Sequence, residues 1–427
     1  MAFIISLLCG FVGAEVILRI YLYFRRGPDY WNQMKNSAVV NDSKYGFKLR
    51  PNIDTSEAKK AIYDKFLKSY GNPESLVVCR TNEVGFRGCS WGKKKKPGVL
   101  RVACFGGSTT FGHCVDDHNT WPAELARLLN ENSCRSEVMN FGVPGWDSAR
   151  DRDLALSVVA EYSPDVLLFH EGWNDEFLFS LTKGANLRSS WTHLSVEETF
   201  NYYGPIPFSQ FLSKFATFFM LVKSVRRAMV FASRMNFGSA DRWKRLIQED
   251  WRKSWASNLN QVVKAASEKG ALVALVDYPG LVSLYDAPDD RAEYVANSRL
   301  STLHAEYQAL SKSLISSFMR QLNTGMPVLD GASGFDMVGA ERLEYFLDDI
   351  HLSSKGNRLL AKSIVDDLLD LLSQKDEWMR LQSSFEGIVN TAGTCSIHQS
   401  LVAERRAAEL TRASEEKLIP DDMYTTV

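Results

Sequence analysis

At 427 residues the chain is too long for one minimal domain and suits a large domain with appendages. Its 45% hydrophobic and 24% charged residues are ordinary for a globular protein with a sizeable core. A formal net charge of −1 excludes a global field that would recruit nucleic acid or an anionic surface.

In chain order, Ala2–Phe24 comes first, an apolar run long enough as a helix to span a bilayer. Glu15 and Arg19 interrupt it. Four residues apart on one helical face, they are expected to neutralise each other. No basic residue precedes the run and no A-x-A cleavage site follows, so a retained single-pass transmembrane helix over residues 1–26 is expected rather than a cleaved signal peptide. Arg25, Arg26 and Lys35 all follow the segment, and the positive-inside bias favours a cytoplasmic globular part. The side of the membrane stays open.

Residues 27–97 read as an irregular lead-in. They end near the basic run Lys93–Lys96, whose plain reading is a solvated loop. From residue 98 strands and helices alternate. Strands are expected at 99–105, 137–141, 165–170, 271–277 and 327–330. Helices are expected at 121–130, 148–162, 241–269, 291–322 and 354–372. Such alternation implies an α/β fold with a parallel, doubly wound sheet covered on both faces, and ligands then gather beyond the carboxyl ends of the strands. This core runs over residues 98–375. It is broken by an aromatic-rich helical insertion at 178–239, whose apolar run is too short to span a membrane. A polar tail, 376–427, closes the chain. Cys9, Cys79, Cys89, Cys104, Cys114, Cys134 and Cys395 show no CxxC or Cys/His spacing, so mostly free thiols and no zinc site are expected. A Cys79–Cys89 bridge stays open, with nothing in the sequence demanding it.

The chemistry collects at the strand ends. The first strand runs into Gly106-Gly107-Ser108-Thr109, which puts a serine on a tight turn at the reactive edge of the sheet. Neither G-x-S-x-G nor a P-loop is present, and alone this turn fits a phosphate loop or a helix cap equally well. The second and third strands run into Asn140-Phe141-Gly142-Val143-Pro144-Gly145 and Glu171-Gly172-Trp173-Asn174-Asp175. These bring glycine and asparagine amides to the same edge, the neutral donors that a developing oxyanion needs. Before the last helix, Asp348 and His351 stand three apart. At that spacing a carboxylate can hold one imidazole nitrogen and leave the other for a serine proton.

Together, over residues 99–372, these four blocks resemble those of the SGNH, or GDSL-like, hydrolases in order and spacing. The resemblance implies a flavodoxin-like three-layer sandwich on a five-stranded parallel sheet. It implies Ser108 as nucleophile, His351 as base and Asp348 as its orienter. The oxyanion donors would be the amides of Ser108 and Gly145 and the side chain of Asn174. No metal or cofactor is required. The partners expected are a small-molecule, glycan or lipid ester and, through the first helix, a membrane. Gly107 departs from the pattern, since it stands where the family carries an aspartate. Residues 45–52 and 81–88 also look like the lead-in of membrane-anchored members. Their plain reading is two turns that dock an aromatic on the core. The implied activity is hydrolysis of a carboxylic ester through an acyl-serine. Transfer of the acyl group to an alcohol on the same site, or a non-catalytic binding protein on the same fold, are the alternatives.

Overall fold

The computed structural model describes residues 2–26, 39–54 apart from 43, 78–176, 217, 250–283 with 286 and 294, 302–322 and 325–383. Apart from Thr217, the insertion at 178–239 lies outside the described residues, as does the chain from 384 onward.

The core is a five-stranded sheet of β3 (Leu100–Gly106), β4 (Ser136–Asn140), β5 (Val166–His170), β6 (Leu272–Val276) and β7 (Val328–Leu329). The order is β4-β3-β5-β6-β7, and every neighbouring pair is parallel. Counted from β3 this is the 2-1-3-4-5 arrangement of flavodoxin-like folds, whose switch point lies where the order reverses beside β3. The inner strands β5 and β6 are short apolar runs because both of their faces are covered. Side chains alternate between two cores. Ala103, Phe105, Leu167, Phe169, Val273 and Leu275 face one side, where they meet α4 (Ser148–Tyr162), α5 (Asp250–Ser267) and α6 (Thr302–Leu322). Val102, Cys104, Val166, Leu168 and Ala274 face the other, where they meet α3 (Trp121–Glu131) and α8 (Ser354–Ser373).

The helices start where their capping chemistry says they should. The Thr120 hydroxyl accepts from Ala123 N ahead of Pro122 in α3. Asp147 accepts from Arg150 N at the start of α4, and Ser353 accepts from Gly356 N at the start of α8. Shorter helices complete the set: α2 (Ser108–Phe111) directly after β3, α7 (Ser333–Asp336) after β7, and α9 (Lys375–Ser383), whose buried Gln382 pairs with the backbone of Val273.

The lead-in is less irregular than expected. Val39–Asp42 (β1) and Gly46–Leu49 (β2) form an antiparallel hairpin closed by Asp42, which accepts from the amides of Lys44 and Tyr45. The hairpin lays Tyr45 and Phe47 on Trp146, whose indole donates to the Phe47 carbonyl. Asn82 gathers the amides of Val84, Gly85 and Phe86, and Phe86 packs on Phe141.

One expectation is not met. The N-terminal segment is a 25-residue helix, α1 (Ala2–Arg26), but among the described residues no helix is long and apolar enough to cross a membrane. The expected transmembrane helix is therefore not found. Glu15 pairs with Arg19 at 2.6 Å and accepts from both the amide and the hydroxyl of Thr217 at 2.9 Å. Cys79 and Cys89, one buried and one exposed, form no disulfide, in line with the expectation of mostly free thiols.

Candidate active site

Ser108 is the first residue of α2, immediately beyond the carboxyl end of β3. It meets His351 from the other end of the chain, with 2.8 Å between Oγ and Nε2. His351 precedes α8 in a tight loop. Leu347 N donates to the His351 carbonyl, and Phe346 bridges Leu352. The loop is anchored from below, since Asn357 in the first turn of α8 accepts from the amide of Trp121. Within the loop Asp348 does two jobs. Its Oδ1 accepts from the amides of Ile350 and His351, which fixes the turn, and its Oδ2 lies 2.6 Å from His351 Nδ1.

The third side of the site comes from the loop after β4 and from the helical turn at residues 173–176 that follows β5. Asn174 donates through Nδ2 to the Trp146 carbonyl at 2.6 Å, which leaves the second N–H of that amide available. Gly107 makes this possible. Its φ of −82° suits any residue, but a Cβ there would stand 2.5 Å from Asn174 Nδ2. The glycine that departs from the expected pattern is the space the asparagine amide occupies. Gly145 turns with φ +80° just ahead of Trp146. Among the described residues neither the Ser108 amide nor the Gly145 amide donates to a backbone carbonyl. The cleft beside Ser108 is lined by Trp146, Trp173, Tyr278, His170 and Asn174. Gly145 itself does not line it.

Three histidines lie near Ser108, and electrostatics separates them. Burial lowers His170 to about 4, and its ring is stacked on Tyr278 with Nδ1 toward the Val276 carbonyl. Burial, with help from the neighbouring His351, holds His113 well below the usual imidazole range. His351 alone is raised. Burial opposes its charge, and the Asp348 carboxylate more than offsets that. Asp348 moves the opposite way. Burial would raise it, but His351 and the two loop amides hold it below the ordinary carboxylate range. Of the three rings, the one within reach of the serine hydroxyl is also the one that binds a proton readily.

Residues 104–359 match the model of the GDSL-like lipase/acylhydrolase family, more than half of the chain. The chain belongs to this family. It is accordingly an ester-hydrolysing enzyme. Among solved structures, this GDSL-like hydrolase is similar to a lipolytic protein of the G-D-S-L family from Veillonella parvula, at 13% identity over 62% of this chain and 97% of that one, with a TM-score of 0.34. It is similar to the psychrotrophic esterase EstA from Pseudoalteromonas sp. at 12% identity, over 64% and 98%, with a TM-score of 0.33. It is also similar to Axe2, an acetylxylan esterase from Geobacillus stearothermophilus, at 13% identity, over 63% and 94%, with a TM-score of 0.35. No curated protein matches the chain.

The structure brings Ser108, His351 and Asp348 together and sets Asn174 over Gly107. The sequence reading did not single out the cleft walls. Trp146 and Trp173 sit beside the glycine and asparagine already chosen, and Tyr278 follows directly on the fourth strand of the sheet. Position beyond a strand's carboxyl end was the signal that could have found them.

Proposed function

We propose that this GDSL-like hydrolase is a serine esterase that cleaves a carboxylic ester, an acyl or acetyl group on a sugar or lipid, through an acyl-serine. One observation carries the reading: a continuous chain from Ser108 Oγ to His351 Nε2 at 2.8 Å and from His351 Nδ1 to Asp348 Oδ2 at 2.6 Å, at the mouth of a cleft. Asp348 accepts from the Nδ1–H, so Nε2 is free to take the hydroxyl proton. Ser108 Oγ attacks the ester carbonyl and His351 receives the proton. The negative charge then sits on the former carbonyl oxygen, facing the amides of Ser108 and Gly145 and the side-chain amide of Asn174. Collapse breaks the ester C–O bond, and the departing alcohol takes the proton back from His351. Water repeats the sequence on the acyl-serine. It loses a proton to His351, adds to the carbonyl and releases the acid, which restores Ser108.

This route assigns Ser108, His351 and Asp348 to the catalytic machinery, with Ser108, Gly145 and Asn174 as the oxyanion donors. The test is turnover of p-nitrophenyl acetate by the full chain and by its Ser108→Ala variant. The reading expects turnover in the first and only background in the second, with both folded by circular dichroism. Undiminished turnover in the variant overturns it. Product analysis with an added sugar acceptor then separates release to water from transfer to an alcohol.

A further inference from the structure

Behind the cleft wall lies a group of acids that the ester chemistry does not use. Asp147, Asp151, Glu171 and Asp175 are all at most 5% exposed. Two of them have donors. Asp147 caps α4 and pairs with Arg150 at 3.0 Å. Asp175 accepts from the amide of Ser148 at 3.1 Å and from its hydroxyl. The other two face each other. Glu171 Oε1 takes the Trp255 indole N–H at 2.7 Å, but Glu171 Oε2 and both oxygens of Asp151 have no donor. Among the described residues the surroundings supply none. Asp147 and Arg150 approach from α4 and Asp175 from the Asn174 turn, while α5 contributes neutral Trp255 and Asn258. Glu176, next along the turn, is bonded to Ser311 on α6. Two ionised carboxylates do not persist side by side in such a place. The arrangement closes when one proton lies between them.

The location gives that proton a task. Glu171 lines the cleft three residues before Asn174. Asp151 sits in the first turn of α4, the helix that begins just after Gly145-Trp146. We propose that Asp151 and Glu171 are positioning residues: a proton shared between them clamps the Asn174 turn to the Gly145 loop and keeps the oxyanion donors in register. This rests on the reading of Asn174 and Gly145 as those donors. Alkaline removal of the proton leaves two facing anions and loosens the turn and the loop.

The sign follows from the direction of both groups. Burial first pushes both Asp151 and Glu171 well above the ordinary carboxyl range; the charges of Asp147 and Asp175 add to it at Asp151, where the hydrogen bond with Glu171 works the other way, and the charge of Asp151 adds to it at Glu171. The folded chain thus keeps a proton that the unfolded chain has lost. This contribution to stability is intact below the ordinary carboxyl range and is lost as pH rises through the raised one. Asp151→Asn replaces the shared proton with a permanent N–H donor toward Glu171. Glu171→Gln does the same in reverse.

The experiment measures kcat, KM and Tm of the full chain and of both variants on p-nitrophenyl acetate from pH 6 to 10. The wild type is expected to lose kcat on the alkaline side by about tenfold per pH unit, with KM nearly constant. Each variant is expected to lack that limb, and its Tm advantage over the wild type should widen as pH rises. Overturning results are a wild type without an alkaline limb, or variants that keep both the limb and the wild-type Tm profile. The two readings fail separately. No ester turnover together with a widening Tm gap retires the esterase and leaves the shared proton in place. Turnover that depends on Ser108 without a widening gap does the reverse.

Discussion

The two sides of the cleft are held in different ways. On the side of α3 and α8 the core is mainly aliphatic, and His351 and Asp348 emerge from a short loop above it. Their geometry is local: three residues of chain and two backbone amides fix the carboxylate against the imidazole. On the side of α4, α5 and α6 the core is aromatic, with Phe105 stacked between Phe141 and Phe169, and Asn174 and Gly145 emerge from a helical turn and a separate loop. Their geometry is long-range. It depends on the Trp146 carbonyl, on the space left at Gly107 and on buried carboxylates behind the turn and the loop. Ser108 stands at the seam. Proton transfer and oxyanion binding thus rest on separable supports, so damage to one should leave the signature of the other intact.

The largest effect tests the seam itself. Ser108→Ala and His351→Ala should each lower kcat by on the order of 10⁶, and the double variant should lose no more than either alone, because the pair acts as a unit. Stopped assays on background-subtracted p-nitrophenyl ester read this directly.

Next comes the aliphatic side. Asp348→Asn keeps the shape but removes the charge that holds the ring, and should cost about 10⁴ in kcat. It should also move the acid limb. In the wild type, His351 is raised above its ordinary value of 6.5, so kcat/KM should fall below a midpoint that lies above that value, where the protonated ring can no longer accept from Ser108. Without the carboxylate, burial is left to lower the ring, and the midpoint should shift to lower pH. A pH profile that does not move would break the comparison.

The aromatic side predicts the opposite pattern. Asn174→Ala should cost about 10²–10³ in kcat, the typical worth of one oxyanion donor, with the acid limb where it was in the wild type. Smaller still is Gly107→Ala. Its new Cβ would contact Asn174 Nδ2, and a displacement of that amide should cost about tenfold, short of the hundredfold that a 1 Å misplacement can reach. In the Asn174→Ala background Gly107→Ala should add almost nothing, since the group it displaces is gone. A double-variant cycle measures that coupling.

Much of the frame was legible in the sequence because strands and helices here are local patterns. The buried strands read as continuous apolar runs, and α4 begins and ends at the residues its pattern named, Ser148 and Tyr162. Asp348 and His351 were legible because their pairing needs only one turn of chain. The sequence could not show what depends on distant stretches meeting. The shape of Gly107 has meaning only once Asn174 arrives above it, and Asp151 looks like an ordinary helix-surface acid until Glu171 is set against it. The hairpin of β1 and β2 was hidden because four-residue strands carry too little alternation to announce themselves. In α1 the apolar composition suggested a bilayer span, while Thr217, which donates to Glu15, lies some two hundred residues away in sequence.

The most direct test of the central claim is covalent. The full chain, its Ser108→Ala variant and its His351→Ala variant are treated with a fluorophosphonate, and the adducts are mapped by peptide mass spectrometry. A serine activated by His351 predicts one adduct, on Ser108, formed rapidly in the wild type, absent in Ser108→Ala and strongly slowed in His351→Ala. Labelling of equal extent in Ser108→Ala, or an adduct confined to another residue, would contradict it.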